Sequence, residues 1–383
     1  MNRLIIDLNA LRHNLDKIGS WMDKCNAKWT VVTKVLCGHV DTLKALQVMG
    51  VRSIGDSRLM NLRAVERIVP DLESWYLRLP HLSAIEEIVS LADVSLNSEI
   101  ETIIALNEVA KRQDKIHRII IMIELGDLRE GILPGGLIRF YEHVFNLSNI
   151  EVLGIGTNVG CLAGVVPNID QFAQLVLYRE LLELKFKHKL PLISAGSSIV
   201  LPLTLEGRLP RAVNHFRIGE SIFLGSNLVD GGTLEGLRDD VVVLEGEIAE
   251  IKEKSLVPSG ETSSITSGTT AAKEEYSPCQ RGYRALVAIG QLDTGTTGII
   301  PMDDRYHIAG SSSDITVVNL GDNPEGLTIG DSVRFKLNYA ALLHLMSGKY
   351  INKETRPGLV EFSASLASIN DTEVAPVLDG VTD

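Results

Sequence analysis

Short apolar runs alternate with amphipathic stretches from residue 2 to about residue 220. The runs at 4–7, 30–34, 53–55, 75–79, 94–96, 118–123, 152–156, 192–194 and 215–217 read as strands. Most are rich in β-branched or bulky apolar residues, as strands buried on both faces are. Between them, segments such as 41–49, 98–111 and 170–188 repeat their apolar positions near helical spacing; in the last, Phe172, Leu175, Val176, Leu182 and Leu184 stand among polar residues. Strictly alternating βα units imply parallel strands, and about eight of them in about 200 residues imply a closed, TIM-like (β/α)8 barrel of the α/β class. A doubly wound open sheet is the runner-up.

After Gly225 the period changes to two. DVVVLEGEIAEIK at 240–252 alternates apolar with polar, as a half-exposed antiparallel strand does. The runs 285–289, 307–308, 315–319 and 332–337 repeat this between Gly- and Asp-rich turns. The expected division is a barrel over residues 8–228 and a β-rich C-terminal domain over 229–383, to which the strand in 1–7 is added. Residues 255–272 are rich in Ser, Thr and Gly and read as a loop or insertion, and the last fifteen or so residues carry no strong pattern.

Composition narrows the function. The chain of 383 residues has a net charge of -12 and no basic cluster, which argues against a nucleic-acid groove. No apolar run is long enough for a membrane span, and MNRLIIDLNALRHN lacks the apolar core of a signal peptide, so a cytoplasmic protein is expected. Cys25, Cys37, Cys161 and Cys279 are scattered without CxxC spacing, which suggests free thiols and no metal site.

Polar groups at strand ends carry the candidate chemistry. TVVTKVLCGH ends a β-branched run in Lys34, at the rim where barrels keep their active sites. Such an amine either snorkels to water or, held part-buried, adds to a carbonyl as a Schiff base. IELGDLREG runs from a strand into Arg129, which can hold an anion or form a surface ion pair with Asp127 or Glu130. GIGTNVG has GxGxxxG spacing with no long helix directly after it, so it reads as a strand end offering Asn158 rather than as a dinucleotide turn. SAGSS, with Ser197 and Ser198, and RIGESIFLG, with Arg217, Gly219 and Glu220, follow the last two strands, where barrels commonly bind phosphate through small residues and backbone N–H groups.

Taken in order, these segments resemble the alanine racemase-like, fold-type III enzymes that use pyridoxal 5'-phosphate (PLP), and most of all the branch that includes ornithine racemases. VVTKVLCGH, ELGDLREGI, GIGTN, SAGSS and HFRIGESIFLG fall in that branch's order, and IGQLDTG, AGSSSDITVV and LNYAALLHLMSGKYI resemble its C-terminal β-domain. The resemblance spans residues 2–352 and implies a PLP-dependent amino-acid racemase acting on a small molecule, ornithine or another basic amino acid. It makes Lys34 the Schiff-base lysine and one of two bases, and sets Arg217 against the pyridine nitrogen. There a permanent guanidinium charge keeps the ring unprotonated, weakening the electron sink and favouring racemisation over transamination. It gives Gly219 and Glu220 (through backbone), Ser198 and Ser197 to the phosphate, Asn158 to the ring, Arg129 to the substrate carboxylate and cofactor hydroxyl, and Tyr350 to the phosphate. Read from its residue type, Tyr350 is equally an aromatic anchor between the domains. The family also implies a homodimer in which each β-domain closes the partner's barrel mouth, completing shared active sites.

Two departures stand out. Where alanine racemases carry a catalytic tyrosine in a GYADG-like motif, this chain has Gly290-Gln291-Leu292-Asp293, and glutamine cannot transfer a proton as a base. The tyrosine after the lysine segment is replaced by Cys37-Gly38-His39. The second base is therefore open among Asp293, Cys37, Tyr339 and His39. Alternatives are a PLP decarboxylase or lyase on the same barrel, which would need a cysteine with an adjacent aspartate in the β-domain, and a non-catalytic PLP-binding protein.

Overall fold

The computed structural model describes residues 2–261, 269–270, 277 and 279–373. Strand β1 (Arg3–Asp7) leads straight into the helix Leu8–Lys24, whose first turn is capped by Asp7 accepting the Ala10 N–H at 2.8 Å. Eight parallel strands then close into a barrel: β2 (Lys28–Val32), β3 (Ser53–Asp56), β4 (Glu73–Tyr76), β5 (Val94–Asn97), β6 (His117–Met122), β7 (Ile150–Thr157), β8 (Leu192–Ala195) and β9 (His215–Ile218). Closure comes from β2 pairing with β9, with Thr30 opposite Arg217 and Val31 opposite Ile218. The open-sheet alternative is thereby excluded.

Two expected barrel strands shift. The run 30–34 stops at Val32, because Thr33 leaves the extended region (φ -98°, ψ 5°) and Lys34 opens the 3-10 turn Lys34–Leu36. The run 75–79 begins earlier, at Glu73, and ends at Tyr76. Period two along each strand puts alternate side chains inside the barrel. On one side of the interior these are Trp75, Val94, Leu96, Ile120 and Met122, a separate apolar cluster. Gly154 and Gly156 exist for packing: a Cβ on Gly154 would lie 1.9 Å from Leu192 O, and one on Gly156 2.8 Å from Ser194 O. That close approach of β7 to β8 explains the GIG of the sequence.

Strand β10 (Val242–Ser255) opens the sheet domain and pairs antiparallel with β1, with Arg281–Val287 and with Ser332–Leu337. The strands Ile299–Pro301 and Asn352–Arg356 were not legible as such in the sequence; the second pairs parallel with β1. The domain is also less purely β than its alternation implied, since it carries the helices Tyr339–Ser347 and Leu359–Glu373. Asn338 caps the first, accepting the Ala341 N–H at 2.9 Å, and that helix packs on the Lys34–Leu36 turn. Of the expected loop 255–272, Ser255 ends β10, while 262–268 and 271–272 lie outside the described residues, as do 374–383 at the C-terminus.

Candidate active site

The C-terminal ends of β2, β6, β7, β8 and β9 bring most of the expected residues to one mouth. Lys34, half-buried, places its Nζ 5.5 Å from the centre of the Tyr339 ring, a cation over an aromatic face. Glu220 feels the same ammonium: burial raises its carboxyl pKa and Lys34 opposes that rise. Burial also raises the Tyr339 phenol, with further push from Glu220 and Asp56, so its hydroxyl stays protonated at neutral pH. Among the described residues no carboxylate forms an ion pair with Lys34.

Arg217 sits inside the barrel, 3% exposed. It donates to Thr157 O at 2.9 Å, Ser194 O at 3.1 Å, Ser194 Oγ and Asn158 Oδ1. Burial lowers its pKa to about 10, Glu130 opposes and Arg129 adds to the lowering, yet the group remains a cation at neutral pH. Below it His215 is stacked on Trp75 with centroids 4.4 Å apart and touches Ser194 Oγ (2.9 Å) and Thr30 Oγ1 (3.1 Å). Burial drives the imidazole pKa down to about 3, assisted by Arg217, so His215 is neutral.

At the turns after β8 and β9, Ser198 Oγ accepts the N–H groups of Gly219 (3.2 Å) and Ser221 (3.3 Å), leaving its own proton to donate. The Glu220 N–H begins the short helix Glu220–Leu224 and has no carbonyl partner within it. Ser197 caps the 3-10 turn Ser198–Val200 without a side-chain hydrogen bond. Across the mouth, Arg129 Nε pairs with Glu130 Oε2 at 2.6 Å, and Asn158 Nδ2 donates to Glu130 Oε1. Gly131, at φ +140°, closes that loop so tightly that a Cβ would lie 2.3 Å from Glu124 N. Asp127, fully buried, accepts N–H bonds from Gly160, Cys161, Leu162 and Ala163 at 3.0–3.2 Å and so fixes the loop after β7.

Tyr350 does not join this group. The helix Tyr339–Ser347 ends at Gly348, and two residues later the tyrosine ring is carried out to solvent, 79% exposed, with Lys349 Nζ 5.3 Å from its centre. It borders a groove with Gln291, Asp293, Thr294 and His344, not the phosphate-type turns, and it anchors no interface within one chain. Of the candidates for a second base, Tyr339 and Cys37 adjoin Lys34, the thiol 3.8 Å from Lys34 O with its pKa raised by burial and Asp56. His39 Nδ1 is engaged with Thr42 Oγ1 at 2.8 Å, and Asp293 stays in the sheet domain, accepting the Gly290 N–H at 3.1 Å. Cys279, the cysteine a lyase reading needs, is exposed.

Sequence reasoning named Glu130 only as a surface ion-pair partner of Arg129, a pair the structure does contain, and passed over Ser194, His215 and Asp56. Strand periodicity held a clue for two of them: 215 and 217 share a face, as do 192 and 194. Asp56, which points the other way, is 1% exposed and accepts from Arg58 N (2.9 Å), Asn61 Nδ2 (3.1 Å) and Thr33 Oγ1 (3.4 Å), beside the lysine turn.

The model of the alanine racemase N-terminal domain matches residues 6–227, well over half the chain and all of the barrel. The chain belongs to the alanine racemase family. It is 36% identical over 353 residues to the ornithine racemase of Acetoanaerobium sticklandii, covering 92% of this chain and 99% of that one. It is 28% identical over 359 residues to the lysine racemase of Thermotoga maritima, covering 93% and 99%. Among solved structures, the alanine racemase of Streptomyces coelicolor superposes with a TM-score of 0.70 at 18% identity over 93% of this chain and 98% of that one. The alanine racemase of Bartonella henselae, a structure with covalently bound pyridoxal phosphate, superposes with 0.66 at 14% identity over 92% and 99%. This chain is accordingly a racemase of that family, and its barrel plus antiparallel sheet domain is the family's architecture. No helix among the described residues is long and apolar enough to cross a membrane.

Proposed function

We propose that this racemase is PLP-dependent and inverts a basic amino acid, ornithine first, in the cytoplasm, as a homodimer. One observation carries the reading: β9 and β2 close the barrel side by side, so a half-buried amine (Lys34), a buried cation (Arg217) and a turn of hydroxyl and N–H donors (Ser198, Gly219, Glu220) come from neighbouring strand ends. That donor set fits a phosphorylated aldehyde. Lys34 would hold it covalently, Arg217 would meet its ring nitrogen, Asn158 its ring, and Ser198, Ser197, Glu220 N–H and Gly219 its phosphate. When bound, PLP supplies the electron-withdrawing ring that makes the Cα proton removable.

The chain's own groups do the rest. Arg129, whose Nε is held by Glu130, keeps its terminal nitrogens for the substrate carboxylate. Lys34 Nζ takes and returns the proton at Cα on its side. Tyr339, protonated and against that amine, donates rather than abstracts. Asp293, next to the 77% exposed Leu292, is the candidate that a second subunit can bring to the other face.

Exposed apolar side chains support the dimer: Leu128, Leu133, Leu162 and Val166 lie in the loops that follow β6 and β7, and Leu292 and Tyr350 are exposed on the sheet domain. Unpaired cysteines support a reducing compartment. The 36% identity with the ornithine racemase and the 28% identity with the lysine racemase support a basic substrate. We place the domain divide near residue 228, before β10 and with β1 on the sheet side.

The purified protein should be yellow, and L-ornithine should lose its optical rotation in its presence. Lys34→Ala should abolish both the visible band and the activity. An equally coloured, equally active Lys34→Ala protein defeats the PLP assignment, and faster loss of rotation with L-alanine than with L-ornithine or L-lysine defeats the basic-substrate assignment.

A further inference from the structure

A single line of hydrogen bonds crosses the mouth and descends into the barrel: Arg129, Glu130, Asn158, Arg217, Ser194, His215, Thr30, Ser53. Its direction is forced by what each group can do. Arginine only donates, so Asn158 must turn its carbonyl to Arg217, and its NH2 is left for Glu130. A carboxylate only accepts, so Glu130 takes that NH2 with one oxygen and Arg129 Nε with the other. On the inner side Ser194 Oγ accepts from Arg217, so its own proton goes to His215 Nδ1. The neutral imidazole then carries its proton on Nε2 and donates it to Thr30, whose hydroxyl is left for Ser53. From Arg217 the order runs both ways, inward through Ser194 and outward through Asn158 to Glu130, where it meets the donor Arg129.

Glu130 is well placed for such a role. Its side chain is 8% exposed, so the two bonds are shielded from water. Arg129 and Arg217 are like charges that both act on this carboxylate, and Asn158 is the spacer between it and Arg217. Without a pure acceptor at 130, Arg217 alone holds the Asn158 amide in this sense, so the amide is less firmly fixed and the guanidinium is less firmly held by one of its side-chain acceptors.

We propose that Glu130 is a positioning residue that locks the Asn158 amide and thereby holds Arg217 in place at the floor of the site while aiming Arg129 at the substrate carboxylate. The role rests on the PLP reading above, because the floor matters for reaction choice only if the cofactor ring lies on it. A fixed guanidinium keeps the ring nitrogen without a proton. A loosened one lets the ring draw electrons more strongly, and the bound cofactor is then converted more often to its amine form, with release of the 2-oxo acid in place of the inverted amino acid.

The test compares the parent protein, Glu130→Gln and Glu130→Asp, each loaded with PLP. Glutamine keeps the shape but offers one acceptor oxygen in place of two, so Asn158 and Arg129 can no longer both be held and the lock is weakened; aspartate keeps a pure acceptor. In Glu130→Gln, KM for L-ornithine should rise and kcat fall about tenfold. Independently of turnover, its visible band should bleach severalfold faster during incubation with substrate, with matching 2-oxo acid in the filtrate. Glu130→Asp should recover most of the parent's resistance to bleaching. If Glu130→Gln does not fold, Asn158→Ala, which removes the middle of the bridge, must show the same fast bleaching. Bleaching at the parent's rate in a folded Glu130→Gln or Asn158→Ala protein overturns the role while leaving the PLP reading intact. A parent that takes up no PLP overturns both.

Discussion

The barrel interior has two unlike halves. Along β4, β5 and β6 it is apolar: Trp75, Val94, Leu96, Ile120 and Met122 pack as any barrel core does. Along β8, β9, β2 and β3 it is a hydrogen-bonded column of Ser194, Arg217, His215, Thr30 and Ser53. The halves meet where Trp75 lies flat on the His215 ring. The apolar half contributes stability without direction. The polar half contributes little net stability, since each buried bond replaces one to water, but it fixes where one cation points. The polar half lets a guanidinium sit inside the barrel, because a buried charge without acceptors is costly.

Mutations should separate the halves. The largest loss of stability is expected for Trp75→Ala, on the order of 3–5 kcal/mol in denaturant unfolding, since it opens a cavity and removes the stacking partner of His215. Next comes acid. The folded pKa of His215, about 3, lies below its ordinary 6.5, so the unfolded chain takes up a proton the native protein refuses. Its contribution is complete above pH 6.5 and is lost as pH falls toward 3, at about 1.4 kcal/mol per pH unit. His117, lowered by burial to about 4, acts in the same sense. Asp56 acts in the opposite sense: raised by burial from 3.8 to about 6, its contribution is present below 3.8 and lost as pH rises through 6. His215→Gln should therefore flatten the acid limb of a stability–pH curve, and an unchanged limb would show that His215 is not the buried neutral group described.

Ser194→Ala breaks the column at its centre. It should cost about 1–3 kcal/mol, because His215 and Arg217 each lose a partner. Its effect on turnover should be larger, about ten- to a hundredfold, since Arg217 is then less well placed. Smallest is Ile120→Val in the apolar half, about 0.5–1.5 kcal/mol with turnover unaltered. If Ser194→Ala proves as silent in turnover as Ile120→Val, the two halves do not differ in function.

The barrel was legible because its signal is local. A β-branched run and an amphipathic stretch each show their period within a few residues, and their strict alternation admits few topologies. Lys34, Arg129, Asn158, Ser198 and Arg217 were legible as polar residues at strand ends. The outward direction of the Tyr350 ring was not legible, because a ring's direction beyond a helix end depends on the turn made at Gly348, which the chain does not announce. The strand Asn352–Arg356 was missed because NKETR has no alternation; what makes it a strand is the edge of β1 beside it.

By itself, then, the sequence determined the alternating strand and helix units of the barrel, the change to period two after it and the residue types near the strand ends, all consequences of periodicity and side-chain chemistry. Only the folded chain decided which of those residues meet. Glu130 and Asn158 are far apart along the chain, as are Ser194 and His215, and neither pair has a local pattern to mark it. Barrel closure puts β9 against β2 and turns isolated polar residues into one directed column. A hydrogen bond's direction belongs to the pair that makes it, and the chain order alone does not say which pairs those are.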